Sequence, residues 1–119
     1  MKTPPKHILL VDDEPGVREA CLLMLCIDGH TVAEAKNGIE ALALFGESRF
    51  DLVVTDFSMP GMNGRELAVK LKQLAPWQPI LMITAYAKEA GRCHDPVDAM
   101  LPKPFSLSEL RQVIAHLLP

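Results

Sequence analysis

This sequence lacks most of what would commit a chain to a nucleic acid, a membrane or a secretory route. Its 119 residues carry 12 Lys and Arg against 15 Asp and Glu, a formal net charge of −3. The basic footprint with which a domain grips a phosphate backbone is therefore missing, and no direct nucleic-acid partner is expected. No apolar run approaches the ~20 residues that a bilayer span requires, so no membrane partner is expected either. Residues Met1 to Lys6 lack the apolar stretch of a signal peptide, which leaves the cytoplasm as the expected location. The cysteines Cys21, Cys26 and Cys93 form no CxxC pair. Cys21 and Cys26 fall within a helical apolar pattern and are expected to be buried thiols. Cys93-His94-Asp95 has no second cluster to complete a zinc site. The phosphate-cradling loops GxGxxG and GxxxxGK[ST] are absent too, which argues against a nucleotide- or flavin-binding enzyme.

What is present is a core and a regular alternation. Apolar residues make up 49% of the chain and charged residues 23%, enough for one globular domain. Residues 1–6 read as a flexible end, and 7–119 as the domain. His7 to Val11 reads as a buried strand. Pro15 then fits the first turn of a helix, where its missing N–H costs nothing, and Gly29 is a natural stop. Thr31 to Ala35 reads as a second strand, weakened by Glu34. Asn37 to Glu40 has capping-box spacing. Leu52 to Asp56 is a third strand, apolar until it meets a carboxylate. Asn63 to Glu66 repeats the capping signal ahead of a helix lined by Leu67, Leu71 and Leu74 and ended by Pro76. Residues 79–84 form a fourth strand. Between residues 88 and 97, Gly91 and Pro96 leave room for only a turn or two of helix. Ala99 to Leu101 is a short fifth strand. Ser106 to Glu109 is another capping box, opening an amphipathic helix with Leu110, Val113, Ile114 and Leu117 on one side. Five apolar strands alternating with helices predict a five-stranded parallel sheet, doubly wound, with helices on both faces.

The polar residues fall where such a sheet places ligands, at the C-terminal ends of its strands. Strand one ends in Asp12-Asp13, strand three in Asp56 and strand four in Thr84, and strand five leads to Lys103. Each has an ordinary reading: helix caps for the acids, a backbone-bonded hydroxyl, a solvated lysine. Their convergence on one edge argues for a site. Carboxylates gathered so closely call for a cation, and oxygen donors suit Mg²⁺ better than zinc.

These residues carry a resemblance. Ile8-Leu9-Leu10-Val11-Asp12-Asp13-Glu14, Asn37-Gly38-Ile39-Glu40-Ala41-Leu42, Asp56 through Gly64, Thr84-Ala85 and Lys103-Pro104-Phe105, in that order, resemble the receiver domain of two-component response regulators over nearly the whole chain. The resemblance implies a flavodoxin-like fold and a phosphoacceptor module. Asp56 would take a phosphoryl group from a sensor histidine kinase or a histidine phosphotransfer protein. Asp13, Asp56 and the Ser58 carbonyl would bind Mg²⁺ directly, with Asp12 acting through water. Lys103, Thr84 and the N–H of Ala85 would contact the phosphoryl group, and the Lys103–Pro104 bond would be cis. Such a module catalyses only its own phosphorylation and dephosphorylation and is not otherwise an enzyme. With no output domain read after the last helix, a downstream effector protein is expected to receive the signal.

The chain departs from the family pattern in two places. Met100 stands where the family usually has Tyr or Phe, three residues before the lysine, which implies a muted output switch. The segment from Thr84 to Lys103 is short, so the fourth helix is expected to be short or loose. Tyr86, two residues after Thr84, is placed to tune dephosphorylation. The competing expectation is a receiver-like interaction module that is never phosphorylated; the complete set of Asp12, Asp13, Asp56, Thr84 and Lys103 argues against it.

Overall fold

Why five short strands end up in one sheet is a matter of their side chains. The central three are apolar on both sides and must be covered on both faces, while the two edge strands are only partly buried. The structure, a computed structural model, describes residues 4–85 and 96–118. In order, the elements are β1 (His7–Val11), α1 (Pro15–Ile27), β2 (Thr31–Ala35), α2 (Gly38–Glu47), β3 (Leu52–Asp56), α3 (Gly64–Leu74), β4 (Ile80–Thr84), β5 (Ala99–Pro102) and α4 (Leu107–Leu117). The strands form one parallel sheet in the order β2-β1-β3-β4-β5. The expected fold class is the observed one: five parallel strands with helices on both faces. The expectation of a short or loose helix between β4 and β5 falls on residues 86–95, outside the described residues.

Alternation along the strands divides the core in two. Leu9, Val11, Val53, Ile80 and Met82 face α2 and α3, meeting Ala41, Leu67, Ala68 and Leu71. Ile8, Leu10, Leu52, Val54, Leu81 and Ile83 face the other way, against Cys21 and Leu25 of α1 and Leu110 and Ile114 of α4. Successive side chains on a strand point to opposite faces, so a continuous apolar run is needed to serve both layers. A single slip in register would exchange the two sets.

The helices begin where their caps dictate. Asn63 accepts from the Glu66 N–H at 2.8 Å while Glu66 accepts from the Asn63 N–H at 3.0 Å, a reciprocal box. Ser106 and Glu109 build the same device. Asn37 is a correction. Its side chain accepts from the Glu40 N–H, but the Glu40 carboxylate turns back to the Lys36 N–H, one residue earlier than a box requires. Gly29 follows α1 with φ near +80°, a conformation that a side chain would resist.

Two burial expectations fail, for different geometric reasons. Cys21 is buried but Cys26 is exposed. Five residues set them about 140° apart around a helix of 3.6 residues per turn, so both cannot face the sheet. Leu74, expected on the buried side of α3, is exposed in the last turn of its helix. Cys93 lies outside the described residues.

Candidate functional site

The strand order reverses direction at β1, which has β2 on one side and β3 on the other. Loops leaving β1 and β3 therefore part company, one toward each face, and open a crevice between them. Asp12 and Asp13 leave the end of β1, and Asp56 is the last residue of β3. Their carboxylates offer oxygens all lying within 4.8 Å of one another, the one such metal-sized cluster among the described residues. Asp12 and Asp56 are 5% and 8% exposed, whereas Asp13 is open to solvent.

Lys103 completes the group. It follows β5, with its N–H donated to the Thr84 carbonyl at 2.9 Å. Its ammonium reaches 2.9 Å from Asp56 Oδ1 and 3.8 Å from Asp12 Oδ2. The Lys103–Pro104 bond is cis, as expected. A cavity of about 310 Å³ stands over these groups, lined by Asp13, Glu14, Asp56, Ser58, Ala85 and Lys103. Thr84 is buried at the end of β4 and Ala85 is exposed beside it. The structure thus brings together Asp12, Asp13, Asp56, Ser58, Thr84, Ala85 and Lys103. Met100 pairs in register with Met82 on β4 and packs half-buried against the α2–α3 side of the core. Tyr86 lies outside the described residues.

Electrostatics in the crevice follow from crowding in a poorly hydrated place. The Asp12 carboxyl is held above the usual carboxylate range. Burial is the main cause, and the charges of Asp56 and Asp13 add to it; the Glu14 N–H, donated to Asp12 Oδ1 at 3.0 Å, and the Lys103 charge pull the other way. Burial disfavours the Lys103 ammonium, but the hydrogen bond and charge of Asp56, then the charges of Asp12 and Glu14, more than offset this and raise its pKa. One ammonium against three carboxylates leaves the cluster short of positive charge. Hard oxygen donors at this spacing fit a small divalent cation such as Mg²⁺.

The turn after β3 depends on one close approach. Gly64 donates its N–H to the Phe57 carbonyl at 2.8 Å, and a Cβ at position 64 would collide with the carbonyl oxygen of Asp56 itself. Glu14, named in the sequence only as part of the acidic run, stands in the cavity wall, and Arg18, one helical turn further on, was given no role at all. Their signal was adjacency to Asp12-Asp13, in a stretch where a helix start explains an acid and a helix surface explains a base equally well. A larger cavity of about 450 Å³, with Phe45, Phe50, Trp77 and Gln78 in its wall, opens at the opposite end of the sheet and contains none of the clustered acids.

A strand-end acid cluster with a lysine on a doubly wound sheet defines a class, and the comparisons agree with it. The response regulator receiver domain family matches residues 8–115, and the chain belongs to that family. It is similar to the response regulator MprA of a Mycobacterium strain, 38% identical over 109 residues, covering 89% of this chain and 47% of MprA. It also resembles the sensor kinase CckA of Brucella abortus, 38% identical over 116 residues, covering 93% of this chain and 12% of CckA. The chain thus spans about half or less of the curated relatives it matches. Among solved structures, the response regulator TrrA of Thermotoga maritima, in complex with Mg²⁺ and BeF, superposes with a TM-score of 0.90 at 35% identity, covering 95% of this chain and 99% of that one. No helix among the described residues is long and apolar enough to cross a membrane.

Proposed function

We propose that this receiver domain accepts a phosphoryl group on Asp56, from a phosphohistidine on a sensor kinase or phosphotransfer protein, and passes the signal on by protein–protein contact. The supporting observation is the 2.9 Å pairing of Lys103 with Asp56 Oδ1 inside a cluster of three carboxylates. In the transfer, the P–N bond to the donor imidazole breaks and its electron pair stays on the nitrogen. A P–O bond to an Asp56 carboxylate oxygen forms in its place, giving a mixed anhydride. Such a step demands positioning and charge neutralisation more than proton movement.

Asp56 is the nucleophile, held at the strand end by β3 pairing and by the turn that Gly64 permits. Lys103, bonded to Asp56 beforehand, sits where it can follow an oxygen of the incoming group. The Thr84 hydroxyl and the Ala85 N–H would donate to the other phosphoryl oxygens. Asp12, Asp13, Asp56 and the Ser58 carbonyl would hold Mg²⁺, which when bound supplies positive charge to the phosphoryl oxygens. Water attack on the anhydride returns Asp56 and releases phosphate, so the signal clears.

Intact mass after incubation with acetyl phosphate tests this directly. Wild type should gain one phosphoryl group only when Mg²⁺ is present, and Asp56→Asn should gain none. Absence of an adduct on wild type, with a cognate kinase tried as well, would favour the unphosphorylated interaction module instead.

A further inference from the structure

The acidic pair at the end of β1 has to be held against its own repulsion, and the backbone beneath it is short of a donor. Asp12 is buried, and its N–H is donated to the Ala35 carbonyl at 3.1 Å. Its own carbonyl oxygen is left at the mouth of α1. In a tight turn, that oxygen would be bonded by the N–H three residues on. Residue 15 is Pro and has no N–H to give. A buried carbonyl without a donor is costly, and here it belongs to the residue preceding Asp13.

Arg18 supplies the donor from one helical turn away. Its Nη1 donates to the Asp12 carbonyl oxygen at 2.8 Å, and its Nε donates to Glu34 Oε1 on β2 at 3.3 Å. The Arg18 N–H itself caps back to the Glu14 carbonyl at 2.9 Å. One guanidinium thus ties the β1–α1 turn to the neighbouring strand by way of the Asp12 main chain, while the Asp12 and Asp13 carboxylates belong to the acid cluster. The planar fork matters, because one side chain must reach a carbonyl and a carboxylate in fixed directions.

We propose that Arg18 is a positioning residue for the divalent cation: by holding the Asp12 carbonyl against β2, it sets the Asp12–Asp13 carboxylates at the spacing a cation needs. The inference rests on the phosphoacceptor reading only in assuming that the cluster binds Mg²⁺; the transfer step itself is not required. Glu34, which interrupts the apolar pattern of β2, thereby gains a role as the anchor for Arg18.

Calorimetric titration with MgCl₂, paired with thermal melts in EDTA, tests it on the full chain. Arg18→Ala and Arg18→Met should each weaken Mg²⁺ binding roughly tenfold, the order expected for losing one well-made charge-assisted hydrogen bond. Arg18→Lys, which retains the charge and one donor, should recover part of the loss. Glu34→Gln, which loosens the anchor and leaves the Asp12 bond, should lose about two- to threefold. Arg111→Ala is the stability control. It removes the two-pronged Arg111–Asp28 pair on another part of the surface and should leave Mg²⁺ affinity alone whatever it does to the melt. Arg18→Ala and Arg18→Met binding Mg²⁺ within twofold of wild type would overturn the inference. Should neither fold, Glu34→Gln at wild-type affinity would overturn it. Wild type that binds Mg²⁺ yet takes no phosphoryl group would instead defeat the proposed function and leave Arg18's role standing.

Discussion

Replacing Lys103 by Met separates two jobs that one ammonium performs, and its consequences can be worked from the distances. At 2.9 Å from Asp56 and 3.8 Å from Asp12, the Coulomb attractions are about 6 and about 4 kcal/mol at an effective dielectric near 20. Dehydration of the charges takes back much of that. Removing one member of a buried pair costs about 3–5 kcal/mol, because the other is stranded. Lys103 keeps 22% of its side chain exposed, so the lower end applies, about 3 kcal/mol, or roughly a 10 °C fall in Tm for a domain of this size. Magnesium should reverse most of the loss, since a divalent ion neutralises the same two carboxylates. Lys103→Met should also bind Mg²⁺ several-fold more tightly than wild type, with the competing ammonium gone, and yet accept phosphoryl from acetyl phosphate more slowly. The assays are thermal melts with EDTA and with saturating MgCl₂, Mg²⁺ titration, and adduct formation by intact mass. A variant whose EDTA melt matches wild type, or whose Mg²⁺ affinity falls, would refute the reasoning that Lys103 is the cluster's resident counter-charge.

Three further perturbations probe other parts of the molecule. Gly64→Ala should cost about 2–3 kcal/mol in urea unfolding, because its Cβ must displace the Asp56 carbonyl; a loss under about 0.5 kcal/mol would show that the turn moves aside freely. His30 accepts the Lys6 N–H on Nδ1 at 3.0 Å, and burial, helped by the Lys6 charge and opposed by Asp28, lowers its pKa below the ordinary 6.5. The unfolded chain then takes up the proton more readily, so this contribution is whole above about pH 6.5 and is lost as pH falls through the lowered folded value. His30→Asn should flatten the difference in stability between about pH 7.5 and about pH 5, and an unchanged slope would remove His30 from the account. Beryllofluoride added with Mg²⁺ should shift NMR resonances around Asp56 while leaving those along β5 near Met100 little changed; large shifts along β5 would show that Met100 transmits the switch in full.

Much of this architecture is legible without coordinates because its signals are local. A strand buried on both faces must be apolar throughout, so the runs at 7–11, 52–56 and 79–84 announce themselves. Caps at Asn63 and Ser106 are local too, since donor and acceptor lie three residues apart. Even the site is legible, because strand-end polar residues in a parallel sheet must share one edge. The readings that failed turn on how a helix is oriented or where it ends: Cys26 faces solvent on the side of α1 away from Cys21, Leu74 is exposed as the last residue of α3, and Glu40 bonds the residue before the cap.

What the sequence by itself determined is therefore the order and type of the elements and the set of polar groups at their ends. Only the tertiary structure decided how those groups meet. Asp28 receives two donors of Arg111 from 83 positions along the chain, and the Lys103 ammonium lands on Asp56 ahead of Asp12. Arg18, in sequence an ordinary helix-surface charge, reaches back to the Asp12 carbonyl oxygen, to which Pro15 has no N–H to give. The physical reason is one of range. Backbone pairing and burial are written residue by residue, whereas the energy of a charge depends on every other charge and dipole that folding brings within a few ångströms of it.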